Sequence, residues 1–194
     1  DFVASMQFHK VFLQLMQYGK PEATWILKTP VYLPILDLVF AVYPDACIVQ
    51  THRDPVKVLP SVCSLVTGWR SLYEGRADAH AIGAWQLEMY ASMMEHAMDV
   101  RAKANPAHFF DFDFRELTAD PVAAIGRMYA HFGIEPSAEA ERRMRAWHAD
   151  NRQHKHGGHA YTLAQFGLVE GEIRERFARY MRRFGVAAEP GGSD

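Results

Sequence analysis

The sequence predicts an α/β fold in which helices pack against a parallel sheet. From residue 24 to residue 70, short apolar runs alternate with longer segments of helical spacing, in the order strand, helix, strand, helix. That order favours a right-handed βαβ unit. With 49% hydrophobic and 23% charged residues, the 194-residue chain has the composition of one globular domain. We predict a single helix-rich domain over residues 1–186 and a disordered tail over residues 187–194.

The first predicted helix covers residues 2–18, where apolar residues recur at positions 8, 11, 12, 15 and 16. Gly19, Lys20 and Pro21 end it. Residues 24–27 then form a predicted strand that ends at Lys28. A buried helix over residues 31–43 follows, and it tolerates Pro34 because that residue lies in its first turn.

The second predicted strand, residues 46–51, leads directly into polar residues. Arg53 follows the strand, Asp54 is placed to cap a new helix, and Pro55 fits the first turn of that helix. A guanidinium beside a helix N-terminus suits an anion, because free N–H groups and the helix dipole point at the same place. Ser61 comes eight residues after Arg53 and projects from roughly the same face. Since ligands of parallel sheets collect at the carboxyl ends of strands, Lys28 and Arg53 are predicted to face one site.

The remainder of the chain is mostly helical by pattern. Residues 77–104 form one long helix or two in series, residues 108–112 a further strand, and residues 120–132 another helix. Ser137 is predicted to cap the helix after that, and residues 170–184 form a final amphipathic helix.

A glycine-containing loop over residues 152–161 holds three histidines and two fixed positive charges. The spacing of His154, His156 and His159 differs from that of common zinc sites, so we predict no metal. An anion-binding loop fits better, with Lys155 supplying charge and Gly157 a flexible backbone.

Charge and hydropathy exclude several classes of protein. A net charge of −2 and a pI near 6.6 argue against nucleic-acid partners and stable membrane association. The sequence has no run of 18 apolar residues and no visible signal peptide. Cys47 and Cys63 are predicted to be buried free thiols, which favours a cytoplasmic protein.

Four ordered segments carry a family resemblance. They are Trp25-Ile-Leu-Lys-Thr-Pro30, Arg53-Asp-Pro55 with Ser61, Phe114-Arg-Glu-Leu-Thr-Ala-Asp-Pro121, and Lys155-His-Gly157 with Tyr161-Thr-Leu-Ala-Gln-Phe-Gly-Leu168. Together they resemble a bacterial branch of the sulfotransferases that use 3′-phosphoadenosine-5′-phosphosulfate (PAPS), over roughly residues 8–185. The resemblance implies a three-layer α/β/α fold with a central parallel sheet, like that of P-loop nucleotide hydrolases.

The resemblance also implies roles for individual residues. Arg53 and Ser61 would clamp the 3′-phosphate of PAPS, and Lys155 with Gly157 would cover it. Lys28 would neutralise charge on the sulfuryl group.

Two positions depart from the family pattern. Relatives commonly carry a histidine base where this chain has Tyr32, and a phenol with a pKa near 10 is a poor base at neutral pH. Many relatives have a nucleotide-contacting tyrosine where this chain has Phe114, which keeps the ring and loses the hydroxyl.

The implied activity is transfer of a sulfuryl group from PAPS to a hydroxyl or amine of a small acceptor, without a metal and with 3′,5′-ADP as product. The family's 5′-phosphosulfate loop near the N-terminus is not found in the sequence, which is therefore expected to be N-terminally incomplete. A non-catalytic or truncated relative that binds 3′-phosphonucleotides is the alternative. A nucleotide kinase is disfavoured because it also needs a glycine-rich loop.

Overall fold

The computed structural model describes residues 2–21, 24–151 and 161–189. Its helices and strands are α1 Phe2–Gln17, α2 Leu36–Val42, β1 Ile48–His52, α3 Pro55–Glu74, α4 Ala79–Arg101, β2 Phe109–Asp113, α5 Phe114–Ala119, α6 Pro121–His131, α7 Ala138–Asp150, α8 Glu170–Arg176 and α9 Ala178–Phe184. Short 3-10 helices lie at Pro30–Ile35, Pro106–His108 and Ala164–Phe166. The α/β class with a parallel sheet is confirmed.

The sheet of the described residues pairs β1 with β2 in parallel, in a register that runs from Ile48 opposite Phe109 to His52 opposite Asp113. Parallel strands need a long crossover, which α3 and α4 provide. Because the two strands end level with each other, the residues that follow them, Arg53 and Phe114, emerge at the same edge of the sheet.

Helix α3 begins as its sequence predicts. The Asp54 side chain accepts a hydrogen bond from the backbone N–H of Val56, and Pro55 occupies the first turn. The helix ends at Glu74, and the capping residue Gly75 has a φ of 73°, in the left-handed region that favours glycine.

The main core lies between α3, α4 and the C-terminal helices. Its buried residues include Leu59, Cys63, Ile82, Met98, Phe166 and Ile173. Gly83 allows α4 to approach the 3-10 helix Ala164–Phe166, because a Cβ atom at position 83 would lie 2.0 Å from the Phe166 carbonyl oxygen. Met93 and Met98 of α4 are also buried, so this helix contributes methionines to the core.

Three local predictions were wrong, and one helix was missed. Residues 24–27 form no strand, and Ile26 is 84% exposed; among the described residues, no strand lies beside it to complete a ladder. Helix α5 was not predicted, and the final helix breaks at Phe177 into α8 and α9. Cys47 is exposed because β1 begins one residue after it.

Candidate functional site

The site is built where β1 and β2 end. Arg53 lies between β1 and α3, and Phe114 is the first residue of α5, directly after β2. The guanidinium carbon of Arg53 lies 4.3 Å from the centroid of the Phe114 ring. This contact lies on the face of the guanidinium, whereas its N–H groups lie in its plane, where an oxyanion can accept from them.

A carboxylate occupies those donors. The Nε atom of Arg53 lies 3.0 Å from Oε1 of Glu189, and its Nη2 atom lies 3.1 Å from Oε2. The pair is bidentate and partly buried, with side chains 22% and 19% exposed. Residues 187–189, for which the sequence predicts disorder, therefore lie against the end of β1.

Asp54 fixes three segments around the start of α3. Its side chain is fully buried, and besides capping α3 it accepts hydrogen bonds from Arg174 Nη2 at 3.3 Å and from the backbone N–H of Glu189 at 2.8 Å. A buried carboxylate needs such partners, because desolvation of its charge is costly. Asp54 thereby links α3, α8 and the C-terminal segment.

Asp113 flanks the site from β2. It caps α5 through the backbone N–H of Arg115, and Arg115 Nη2 lies 2.6 Å from its Oδ2 atom. The side-chain hydrogen bond from Arg115 holds the pKa of Asp113 below its usual range. Asp113 is therefore a charged acceptor that is already paired.

A polar network beneath the site holds the strand ends. His52 Nε2 lies 2.8 Å from Asp111 Oδ1, and His52 Nδ1 lies 3.2 Å from the Tyr180 hydroxyl. Arg101 donates to the same carboxylate, from Nη1 to Oδ1 at 2.8 Å and from Nη2 to Oδ2 at 2.6 Å. Since a carboxylate only accepts, Nε2 of His52 carries a proton.

These contacts set the ionisation of the network. Burial acts to raise the pKa of Asp111, but hydrogen bonds from His52 and Arg101 outweigh it and lower the pKa to about 2. Burial raises the pKa of Tyr180, and the Arg53 backbone hydrogen-bonds to its hydroxyl. Tyr180 is thus a neutral contact for both the His52 ring and the Arg53 backbone.

Three of the other predicted residues lie on segments other than the ends of β1 and β2. Ser61 is half-buried on α3, about 10 Å along the helix axis from Asp54. Lys28 is exposed in the extended segment before the first 3-10 helix, and Tyr32 lies on that helix. Lys155 and Gly157 lie outside the described residues.

The Tyr32 ring packs against a histidine of α1. Its ring meets the His9 ring edge to face, with centroids 6.4 Å apart, and His9 Nδ1 lies 2.8 Å from the Tyr43 hydroxyl. Burial, and then the proximity of Tyr32, raise the pKa of Tyr43. An imidazole from α1, that of His9, thus packs against the Tyr32 ring.

Several residues of the site were missed in the sequence. Asp113 could have been found, because Asp113-Phe-Arg-Glu116 has the spacing of a helix-capping box. Arg174 and Glu189 had no such signal, because their partners Asp54 and Arg53 lie 120 and 136 residues away.

The pattern that defines the sulfotransferase family matches residues 2–139. The chain belongs to the sulfotransferase family. The Omega-hydroxy-beta-dihydromenaquinone-9 sulfotransferase Stf3 of Mycobacterium bovis, like that of Mycobacterium tuberculosis, is 25% identical to this family member over 167 residues. The match covers 82% of this chain and 42% of each relative.

Solved sulfotransferase structures share the fold. STF9 from Mycobacterium avium has a TM-score of 0.89 and 27% identity, covering 98% of this chain and 49% of STF9. STF1 from Mycobacterium tuberculosis H37Rv has a TM-score of 0.66 and 35% identity, covering 80% of this chain and 39% of STF1. The chain thus spans about half the length of STF9 and less than half the length of STF1 and Stf3.

In residues 2–21, 24–151 and 161–189, no three His, Cys, Asp or Glu side chains cluster closely enough to hold a metal ion. Across the same ranges, no helix combines the length and apolar character needed to cross a membrane.

Proposed function

We propose that the protein is a PAPS-dependent sulfotransferase that moves a sulfuryl group from PAPS to a hydroxyl or amine of a small acceptor, leaving 3′,5′-ADP. The observation that carries the proposal is the guanidinium of Arg53, presented at the end of a parallel strand beside the start of α3, in a member of the sulfotransferase family. PAPS supplies the activated sulfuryl group, and no metal is proposed.

Arg53 is the residue proposed to bind the 3′-phosphate. The carboxylate of Glu189 already sits on its Nε and Nη2 atoms, which supports the fit of an oxyanion there. The Phe114 ring lies 4.3 Å from the guanidinium carbon and supports the cation from one side. Ser61 is proposed to add a hydroxyl donor from α3, and its spacing from Arg53 supports that role.

Lys28 and Tyr32 are proposed to act on the transferred group and its acceptor. Thr29 lies between the two residues along the chain. Its hydroxyl oxygen accepts a hydrogen bond from the backbone N–H of Val31 at 3.2 Å and so caps the 3-10 helix that carries Tyr32. The Lys28 ammonium would offset charge that develops as the sulfuryl group leaves. The Tyr32 hydroxyl would hydrogen-bond the acceptor. Lys155 and Gly157 are proposed to cover the 3′-phosphate.

The acceptor is proposed only as a chemical class. The Stf3 relatives are named as omega-hydroxy-beta-dihydromenaquinone-9 sulfotransferases. For this protein we propose a small molecule that bears a hydroxyl or an amine, with no nucleic-acid partner and no stable membrane association. Cys47 and Cys63 are free thiols, which supports a cytoplasmic location.

Calorimetry on the full-length protein tests the nucleotide assignment. If Arg53 reads the 3′-phosphate, 3′,5′-ADP should bind at least about 30-fold tighter than 5′-AMP, which lacks that group. Equal affinities would remove the assignment. Incubation with [35S]PAPS and a panel of alcohols, phenols, sugars and amines then tests transfer; tight 3′,5′-ADP binding without labelled product would instead support a non-catalytic 3′-phosphonucleotide-binding relative.

A further inference from the structure

The C-terminal segment holds an anion against the guanidinium that we assign to the nucleotide. Both carboxylate oxygens of Glu189 face the Nε–Nη2 edge of Arg53, at 3.0 Å from Nε and 3.1 Å from Nη2. A phosphate bound to Nε and Nη2 would use the same donors in the same plane, because both oxyanions accept paired N–H groups from arginine. Glu189 and a phosphate therefore cannot both bind the Nε–Nη2 edge of Arg53, which we call the Arg53 fork.

A second contact fixes the position of Glu189. Its backbone N–H donates to Oδ2 of Asp54 at 2.8 Å, and the Asp54 carboxylate is held in turn by the α3 N-terminus and Arg174. The contact anchors the chain next to the Arg53 fork, so the carboxylate reaches it at a high effective concentration. Glu189 is thus held by two contacts, its backbone N–H on Asp54 and its carboxylate on Arg53.

The segment also fills the space in front of Arg53. Val186, Ala187 and Glu189 line a cavity together with Arg53 and Phe114, and the free space that remains in it is about 10 Å³. That is about the room of one water molecule, far less than a phosphate requires. With the segment in this position, a nucleotide phosphate cannot enter.

Three carboxylates surround the site, those of Asp54, Asp113 and Glu189. Moving Glu189 away from Arg53 would disturb the fold least. Asp54 caps α3 and Asp113 caps α5, so moving either would expose a helix end. Glu189 lies beyond α9, which ends at Phe184 and is followed by the capping residue Gly185.

We propose that Glu189 is an internal competitor of the nucleotide: the C-terminal segment closes on Arg53 when the site holds no nucleotide, and it must be released for the 3′-phosphate to bind. This inference rests on the proposed function. It makes the apparent nucleotide affinity a product of the intrinsic affinity and the fraction of molecules in which the segment is open. Release of the segment would then regulate binding without any change in the Arg53 donors.

The test compares nucleotide binding by Glu189→Gln with that by Glu135→Gln in the full-length protein. Glu135 is exposed in the turn before α7, so its substitution makes the same change in net charge away from the site. If Glu189 competes, Glu189→Gln should bind 3′,5′-ADP about 3-fold to 30-fold tighter than the wild type, while Glu135→Gln should match the wild type. Binding of 5′-AMP should change in neither variant, because it has no 3′-phosphate.

Hydrogen exchange at the Glu189 amide gives a second measurement that does not depend on a substitution. Saturating 3′,5′-ADP should accelerate exchange of this amide, since release of the segment breaks its bond to Asp54. The inference would be overturned if Glu189→Gln bound 3′,5′-ADP as the wild type does and the Glu189 amide stayed protected in the complex. The segment would then have a purely structural role, and the nucleotide-site assignment would be unaffected. If the wild type and Glu189→Gln both fail to prefer 3′,5′-ADP over 5′-AMP, the proposed function falls and this inference falls with it.

Discussion

The guanidinium of Arg53 lies over the ring of Phe114, 4.3 Å from its centroid, and so joins the first residue after β1 to the first residue after β2. The relationship follows from the parallel register, which ends both strands at the same level. In the proposed function, this contact is how Phe114 contributes to the site without a hydroxyl. The ring packs against the arginine that carries the charge, and a phenol is not needed for that contact.

Two substitutions at Arg53 distinguish the contribution of its charge to nucleotide affinity from that of its planar guanidinium. Arg53→Ala removes a bidentate contact to phosphate, so we expect the affinity for 3′,5′-ADP to fall by about 2 to 3 kcal/mol, roughly 30-fold to 150-fold. Arg53→Lys keeps the charge but loses the planar fork, and it should recover only part of that loss. Isothermal titration calorimetry measures both. Full recovery by lysine would mean that the site reads charge alone.

Ser61 should contribute less than Arg53, because it offers one neutral hydroxyl. We expect Ser61→Ala to weaken 3′,5′-ADP by about 1 kcal/mol, about 5-fold, and to leave 5′-AMP unaffected. Ser71→Ala is the matched control, since Ser71 is an exposed serine near the other end of the same helix. A similar small loss in both variants would point to a general effect on α3 rather than to a phosphate contact.

The start of α3 was predictable from sequence because its determinants are local. Asp54 caps the helix and Pro55 occupies its first turn, and both act through neighbouring backbone atoms. The position of Arg53 at the end of a strand followed from the same short segment. Prediction was wrong for residues 24–27, because an apolar run becomes a strand only where another strand pairs with it.

The carboxylate on Arg53 could not be predicted, for the opposite reason. Glu189 lies 136 residues from Arg53 in a segment of small residues, glycine and proline, whose composition is typical of disorder. Its contact depends on how α8 and α9 carry the chain back to β1. The network of His52, Asp111 and Tyr180 is equally non-local, and no motif marks it.

The Asp111 carboxylate should make stability depend on acid pH. Its pKa in the folded protein is about 2, below the ordinary value of about 4, so its contribution is complete above pH 4 or so and is lost as pH falls toward 2. Asp111→Asn should lower the free energy of unfolding by about 1 to 2 kcal/mol at neutral pH, allowing for partial solvent exposure of the pair. The variant should also lose part of the decline in acid.

Denaturant titrations between pH 7 and pH 2 measure this difference. Asp45→Asn is the control, because Asp45 is an exposed carboxylate in the turn before β1. Parallel stability curves for the wild type and Asp111→Asn across that range would show that the hydrogen bonds from His52 and Arg101 are not coupled to folding.

Lys28 should matter for the transfer step more than for binding. If its ammonium offsets charge that develops as the sulfuryl group leaves, Lys28→Ala should lower kcat about 10²-fold or more. Its affinity for 3′,5′-ADP should hold, because that product lacks the sulfuryl group. Lys20→Ala removes an exposed lysine from the turn after α1 and should change neither quantity. Equal losses in kcat and in nucleotide affinity would make Lys28 a binding residue.

Tyr32 is the residue on which the route of the acceptor proton depends. Tyr32→Phe keeps the ring against His9 and removes only the hydroxyl, so a proton-accepting Tyr32 should lose about 10²-fold or more in kcat. A hydroxyl that merely orients the acceptor should lose less, and a spectator almost nothing. The measurement is single-turnover transfer from [35S]PAPS, with Tyr18→Phe as the control because Tyr18 is 87% exposed.

Tyr32→His then asks whether the natural phenol limits the rate. An imidazole has a pKa near 6.5 and accepts a proton at neutral pH, whereas a phenol with a pKa near 10 is almost fully protonated there. If Tyr32 contacts the acceptor, we expect the histidine variant to gain in kcat near pH 7 and to lose that gain as pH falls below about 6 and the imidazole becomes protonated. Rates that match the wild type in both variants at every pH would show that the proton leaves by another route, and Tyr32 would then have no place among the catalytic residues.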